Sequence, residues 1–399
     1  PVAYVPRLRL PDPTLERATG FLTPTIRSDT VLGSYLVVPY FFRLGDHADL
    51  TATPWIGSGN TTTMELRYRQ AFVNGDLTVN SALSRDNLTA DDFRSYLFID
   101  GAFDLRRDYN LRFALQGVTD RDYLTTYGFP DSDLLESFVT IDRARRDQFL
   151  ELNFSILEGL QADDNNQTLP TRTGNATAIH RFTPGVIGGI ATVGVDVGGY
   201  YRLSDTPGPL GRDVTRATGS AEWRRDGILP GGFLLGAEVA VFGDVYNTQQ
   251  GTTFDGTDSR VTPMAAVELR YPMQRTTAGG VAHLLEPVAQ LAWSESAGDE
   301  VPVEDSAIVE FDEANLFALD RFPGHDTREE GRRLNLGLTY TRIAPTGWSL
   351  GLTGGVVLRD RDMMQFTQGS GLSGTQSDYL VDAHVQSSDG LMAVNRAIF

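Results

Sequence analysis

Histidines are the residues best suited to chemistry in this chain of 399 residues, and their spacing assembles no site. His47, His180, His283, His325 and His384 stand far apart. No H-x-x-x-H or H-E-x-x-H step brings two onto one face, so no metal site is predicted. A hydrolytic pair could be made only from His180 or His384 with a serine such as Ser387, and no G-x-S-x-G element supplies a nucleophile turn. The sequences Gly57-Ser58-Gly59 and Gly369-Ser370-Gly371 fall between strand-like segments, where they cradle no nucleotide. Cysteine is absent, which removes thiol chemistry. No catalytic residue, metal or cofactor is therefore expected.

Charge narrows the choice of partners. A net charge of −18 without a cluster of Lys and Arg excludes nucleic acid as a ligand. The acidity gathers at Asp163-Asp164 and along Asp299, Glu300, Glu304, Asp305, Glu310, Asp312 and Glu313. Those stretches read as solvated loop surface, with divalent-ion binding as the lesser alternative. Glycosylation-type triplets at Asn60, Asn87, Asn153, Asn166 and Asn175 follow from an Asn/Thr-rich composition; Asn153 lies inside a strand pattern.

The elements that would hold any site are strands. From Thr62 onward apolar and polar residues alternate, as in Leu111, Phe113 and Leu115 against Asn110, Arg112 and Gln116. Alternate side chains of a strand point to opposite faces, so each segment has one greasy face and one polar face. Roughly 18 such segments run from Val31–Phe42 to Leu391–Phe399, each near the ~9–11 residues that cross a membrane at a tilt. Hydrophobic residues make up 41% of the chain, and no run of apolar residues is long enough for a membrane helix. Short turns such as Asn74-Gly75 and Arg107-Asp108 alternate with long polar excursions at 120–133, 158–170, 205–212, 247–258 and 295–330. A propeller or solenoid would show a fixed repeat, and there is none. The expected fold is all-β, a large antiparallel transmembrane outer-membrane β-barrel.

Chemistry assigns the faces. Leu97, Ile99, Phe103 and Leu105 are expected toward lipid, with Asp100 and Asp104 toward a lumen. Arginine in hydrocarbon costs ~2–4 kcal/mol near the midplane. Asn110, Arg112, Gln116, Glu151 and Asn153 are therefore candidates to line a wet lumen, and Arg270 belongs with them. Aromatics including Tyr40, Phe41, Trp55, Tyr68, Trp223, Trp293 and Trp348 read as interfacial anchors. A pore, a transporter and an assembly channel all fit this pattern.

More specific motifs open the chain. PVAYVPRLRLPDPTLERATGFLTP contains an R-x-x-G-F-L-x-P element (Arg17, Gly20, Phe21, Leu22, Pro24), followed by Pro39, Tyr40 and Phe41 and by a D-x-T-x-T-P element (Asp49, Thr51, Thr53, Pro54). A later stretch holds Asn315, Leu316, Phe317, Asp320, Arg321, Gly324, Asp326 and Gly331. Together these resemble the LptD family of lipopolysaccharide-assembly outer-membrane proteins. The resemblance implies the end of a periplasmic β-jelly roll and its connection over residues 1–23, and a barrel over 24–399 whose closing strands are missing. Phe399 has poor alternating partners in Ala397, Asn395, Ala393 and Leu391, which also points to an internal fragment.

Proline lacks an N–H, so prolines in consecutive early strands weaken a ladder. The resemblance implies that Pro24 and Pro39 keep a lateral gate weak between the first and last strands. It further implies a protein of the bacterial cell outer membrane that is not an enzyme and that passes lipopolysaccharide. The saccharide would move through the lumen, where acyl chains would lose about 0.8 kcal/mol per CH₂. Implied partners are an LptE-like lipoprotein plug and an LptA-like periplasmic bridge protein docking on the missing jelly roll. The alternative reading is a general or substrate-specific diffusion porin with a charged constriction.

Overall fold

A computed structural model of the chain describes residues 17–57, 61–89, 93–129 and 132–399. The opening ten residues, most of the expected jelly-roll tail, and Ser58-Gly59 lie outside the described residues. Two compact units emerge, one holding residues up to 145 with 150–176 and 200–206, the other holding 146–149, 177–199 and 207–399.

In chain order the strands are β1 (Gly20–Phe21), β2 (Thr25–Asp29), β3 (Gly33–Val37), β4 (Tyr40–Arg43), β5 (Ala48–Gly57), β6 (Thr62–Phe72), β7 (Gly75–Arg85), β8 (Phe93–Asp104), β9 (Asn110–Val118), β10 (Leu134–Ala144), β11 (Gln148–Gly159), β12 (Arg172–Phe182) and β13 (Ile190–Tyr201). They continue as β14 (Asp213–Ile228), β15 (Leu234–Gln249), β16 (Gly256–Arg270), β17 (Met273–Thr276), β18 (Ala282–Ser294), β19 (Ala297–Gly298), β20 (Gly331–Ile343), β21 (Ser349–Arg359), β22 (Leu380–Gln386) and β23 (Met392–Ile398). Among the described residues one short α-helix, α1 (Tyr123–Tyr127), and a 3-10 turn at Arg106–Asp108 interrupt them. Every segment expected to be a strand coincides with one. The exception in detail is Val31–Phe42, which divides into β3 and β4 at Val38-Pro39, and the excursion at 120–133 contains α1.

Within the first unit successive strands pair antiparallel from β5 through β10, and within the second from β14 through β16 and from β20 through β23, with β18 joining β16 to β20. The Asn74-Gly75 turn admits only glycine, since a Cβ on Gly75 would lie 2.2 Å from the Ala102 carbonyl oxygen.

The register fixes the two faces. In the first unit Leu36, Ile56, Met64, Leu66, Leu83, Leu97 and Leu115 stand exposed on one side. In the second Val239, Val241, Val267, Leu269, Leu291 and Leu338 do the same. Exposed aliphatic rows on consecutive strands are a surface that water would not tolerate over this area. In each unit the opposite side, here called its inner face, is polar and is covered by chain from the long connections. In the first unit the 119–133 connection brings Tyr123, Leu124, Tyr127 and Phe129 against Trp55, Ala82 and Tyr96. In the second the 295–330 connection brings Phe311 and Leu316 against Val357 and Leu380.

Two cross-strand glycines make the second docking possible. Gly337 faces Gly355 across β20 and β21. A Cβ on Gly355 would lie 2.2 Å from Leu316 Cδ2, and one on Gly337 2.7 Å from the Phe317 ring. The pair is a notch for the connection. Gly355→Ala is expected to destabilise the folded protein by ~1–3 kcal/mol through overpacking. Gly354→Ala, whose Cβ would meet nothing closer than 3.7 Å, is expected to be neutral or slightly stabilising. Thermal unfolding in detergent micelles separates the two.

Candidate functional site

The first strands carry a seam built from prolines. β1 pairs with β4 and β2 with β3, so the first strand and the second are each broken at the same height. Both halves of the second strand also pair with β5. Across the gap the Leu22 N–H donates to the Pro39 carbonyl at 2.9 Å, and the Val38 N–H donates to the Pro54 carbonyl at 3.2 Å. In an antiparallel ladder such a residue would donate back to its partner. Pro39 cannot return a bond to Leu22, nor Pro54 to Val38. Pro24 lies exposed in the break between β1 and β2. Sequence reasoning named Pro24 and Pro39 and overlooked Pro54, although a proline inside an alternating strand is itself the signal. Below the seam the buried Asp49 accepts hydrogen bonds from Arg17 and Arg69, which ties the segment before β1 to β5 and β6.

The expected lumenal residues share one side of the first unit. Asn110 donates to Asp142 Oδ2 at 2.9 Å, and Arg112 donates to Oδ1 of the same carboxylate at 3.2 Å. Gln116 Oε1 accepts the Glu136 N–H at 3.1 Å, and Asn153 donates to Thr140 Oγ1 at 2.8 Å. Ser155 then donates to Glu136 Oε1 at 3.0 Å. Glu151, two residues before Asn153 on β11, points to the same side of that strand. A recess of about 350 Å³ is lined here by Asn74, Asp76, Asp104, Asn110, Arg112 and Asp142. In the second unit Arg270 takes part in a similar lattice with Glu268 and Glu286 at 2.6 and 3.4 Å. Such surfaces offer many hydrogen bonds and little apolar contact.

The acidic stretch expected to be a solvated surface is partly buried instead. Glu304 pairs with Arg212, and Asp305 pairs with Arg216 at 2.8 Å. Arg216 also holds Asp326 and Asp196, at 2.8 and 3.1 Å. Burial pushes the Asp305 carboxyl up, but the hydrogen bond and charge of Arg216 more than offset it and hold its pKa well below the carboxylate range. Asp326 is shifted the other way by burial and by the negative charge of Asp305. Gly324 lies so close that a Cβ would fall 2.1 Å from an Asp305 carboxylate oxygen.

Glu329 forms a second hub. Fully buried, it meets Arg321 at 2.6 Å, Arg359 at 2.9 Å and Arg333 at 3.7 Å. Burial raises its pKa, yet the three guanidiniums outweigh burial and leave it lowered. The same arginines reach backbone carbonyls of Leu316, Leu319 and Leu372, so they fasten two connections to the inner face.

The chemistry-capable residues stay apart. His180 Nδ1 contacts the Asp147 carbonyl oxygen, His384 lies 3.5 Å from Asp382, and Ser387 Oγ accepts the Leu391 N–H. Among the described residues no group of three metal-ligating side chains occurs. Trp55 departs from expectation. It is only 6% exposed and faces inward, not toward an interface, whereas Trp293 and Trp348 are exposed.

An antiparallel sheet with a bare aliphatic face and a polar, loop-covered inner face is the wall of an outer-membrane β-barrel protein. Residues 92–399 match the family model of LptD, LPS transport system D. The chain belongs to that family, and its place is the bacterial outer membrane. Curated relatives named LPS-assembly protein LptD include one from Hahella chejuensis, 25% identical over 85% of this chain and 45% of that protein. Others come from Marinobacter nauticus, 27% identical over 85% of the chain and 45% of the protein, and from Acidovorax sp., 24% identical over 96% and 49%. The chain thus spans about half the length of the curated relatives it matches.

Acid should release the 295–330 connection. Because the Glu329 pKa is lowered in the folded state, its stabilisation is complete above the ordinary value of 4.5 and is lost as pH falls through the folded value. Glu329→Ala, which leaves three buried guanidiniums without their carboxylate, is expected to cost ~3–5 kcal/mol. Limited proteolysis of the connection against pH checks both points: Glu329→Gln should abolish the dependence contributed by this group.

Proposed function

We propose that this chain is the barrel portion of a protein that places lipopolysaccharide in the outer leaflet, releasing the lipid sideways at its first strands. One observation carries the reading: the ladders on both sides of the second strand are interrupted at one level by Pro39 and Pro54, in a member of a lipopolysaccharide-transport family. A sheet surrounded by hydrocarbon must satisfy its backbone groups internally, so a seam lacking donors is where it opens at least cost. Pro24 adds to the weakness as a break between β1 and β2.

The lattice of Asn110, Arg112, Gln116, Glu151 and Asn153 would face the lumen and suit the hydroxyl-rich saccharide by exchanging hydrogen bonds, while acyl chains would leave through the seam. An LptE-like lipoprotein plug would meet the inner face, and an LptA-like bridge would dock on a jelly roll preceding residue 24. A diffusion porin is less well supported, because connections from the 119–133 and 295–330 regions occupy the inner faces that a solute would need open.

The test uses the full-length protein in its host. Depletion should remove lipopolysaccharide from the cell surface and cause it to accumulate behind the outer membrane. Pro39→Ala or Pro24→Ala, by restoring a donor, should slow delivery severalfold, corresponding to one hydrogen bond of about 1 kcal/mol. Pulse-labelled lipopolysaccharide reaching the surface at the normal rate in both variants would end the lateral-exit reading, and loss of small-solute uptake alone on depletion would favour the porin.

A further inference from the structure

Among the described residues, three pairs join the hairpin of β2 and β3 to the third strand. They are Tyr35↔Gly57, Leu36↔Ile56 and Val37↔Trp55, followed by the one-way bond from the Val38 N–H to the Pro54 carbonyl. Side chains take over at that point. The Trp55 ring stacks on Tyr35 of β3 with centroids 4.8 Å apart and planes 4° from parallel. The Arg27 guanidinium of β2 lies 5.7 Å from the Trp55 ring centroid. Tyr127 and Phe129, from the 119–133 connection, pack on Trp55 at 5.9 and 5.4 Å.

That connection is fastened independently of the seam. Tyr123 shares a hydrogen bond with Ser84 of β7 at 2.7 Å, and the Tyr127 hydroxyl donates to Asp86 at 2.5 Å. Arg94 of β8 grips Asp120 through two hydrogen bonds, at 2.8 and 2.6 Å. Farther along β5 the inward residues are Thr53, Thr51 and Asp49, so the aromatic packing is concentrated where backbone bonds are missing.

We propose that Trp55 is a clasp: the 119–133 connection braces its ring through Tyr127 and Phe129, the ring holds the β2–β3 hairpin through Tyr35 and Arg27, and opening of the seam requires Tyr35 to unstack from Trp55. The proposal rests on the lateral-exit reading. It puts the closed state under the control of a connection at the long-loop end of the sheet rather than of the ladder alone. An aromatic pair is held by dispersion and ring geometry, which break without leaving an unpaired polar group.

Variants of the full-length protein in living cells test it, with assembled protein quantified by its heat-modifiable migration. Trp55→Ala should raise uptake of a large hydrophilic antibiotic, normally excluded by the outer membrane, roughly tenfold. Trp55→Phe, which keeps a ring in the stack, should restore most of the barrier. Adding Pro54→Ala to Trp55→Ala should bring uptake back toward normal, since the restored N–H can return a bond to Val38 across the same β3–β5 ladder. Unchanged uptake in a normally assembled Trp55→Ala protein overturns the clasp, and so does a leak that Pro54→Ala fails to reduce. If Trp55→Ala does not assemble, Phe129→Ala, which alters no strand, is read by the same criteria. Unaltered lipopolysaccharide delivery in the Pro39→Ala single variant counts against the lateral exit itself, a separate outcome from the uptake ratio that judges the clasp.

Discussion

Every feature of this protein depends on backbone hydrogen bonds being satisfied inside the sheet. The bare face carries exposed aliphatic rows and has no water to offer a stray N–H or C=O. Strands of up to 16 residues, such as β14 and β15, meet that demand by pairing residue for residue along their whole length. Single donors are also missing at Pro263 of β16, which accepts from Glu295, and at Pro287 of β18, which accepts from Tyr271; two missing at one level of adjacent ladders make a larger gap. Pro39 and Pro54 remove one each from adjacent ladders, and the polypeptide compensates with an aromatic stack on the inner side, not with further pairing.

Inner and outer faces obey opposite rules, and each connection is built to match. The bare face is uniform, because lipid asks only for apolar surface. The inner face has to match particular partners: Asp142 serves Asn110 and Arg112, Glu329 serves three arginines, and Gly337 with Gly355 accepts Leu316 and Phe317. The segment 315–331, which resembles the family's loop motif, is where these demands converge. Its Arg321 and Asp326 are each paired with a buried partner, and Gly324 makes room for the partly buried Asp305.

The strands were legible in the sequence because period-two alternation is a local property, and the phase of Leu111 to Leu115 reports the faces directly. The break at Val38-Pro39 was harder to see, since the apolar pattern runs through it while the ladder does not. Trp55 could have been placed correctly: it has the parity of Asp49, Thr51 and Thr53, all inward. What no local pattern reports is the destination of the long connections. Glu304 and Asp305 read as solvated because their partners Arg212 and Arg216 lie some ninety positions away in the chain. Burial of a charge is decided by its partner, and the partner is set by the fold.

The Glu329 hub has a consequence for the order of events in folding. Its carboxylate, on the connection, sits eight positions from Arg321 but thirty from Arg359, so the ring of guanidiniums closes only after β20 and β21 have paired. An intermediate with the connection docked before Arg359 arrives would hold Glu329 on Arg321 and Arg333 alone, without the 2.9 Å ion pair that β21 supplies. Docking is thereby made cooperative and late. The sheet must exist before its own loop can fill it, and a misregistered β20–β21 pair would leave the loop outside, open to proteases, rather than trapped in a half-seated form.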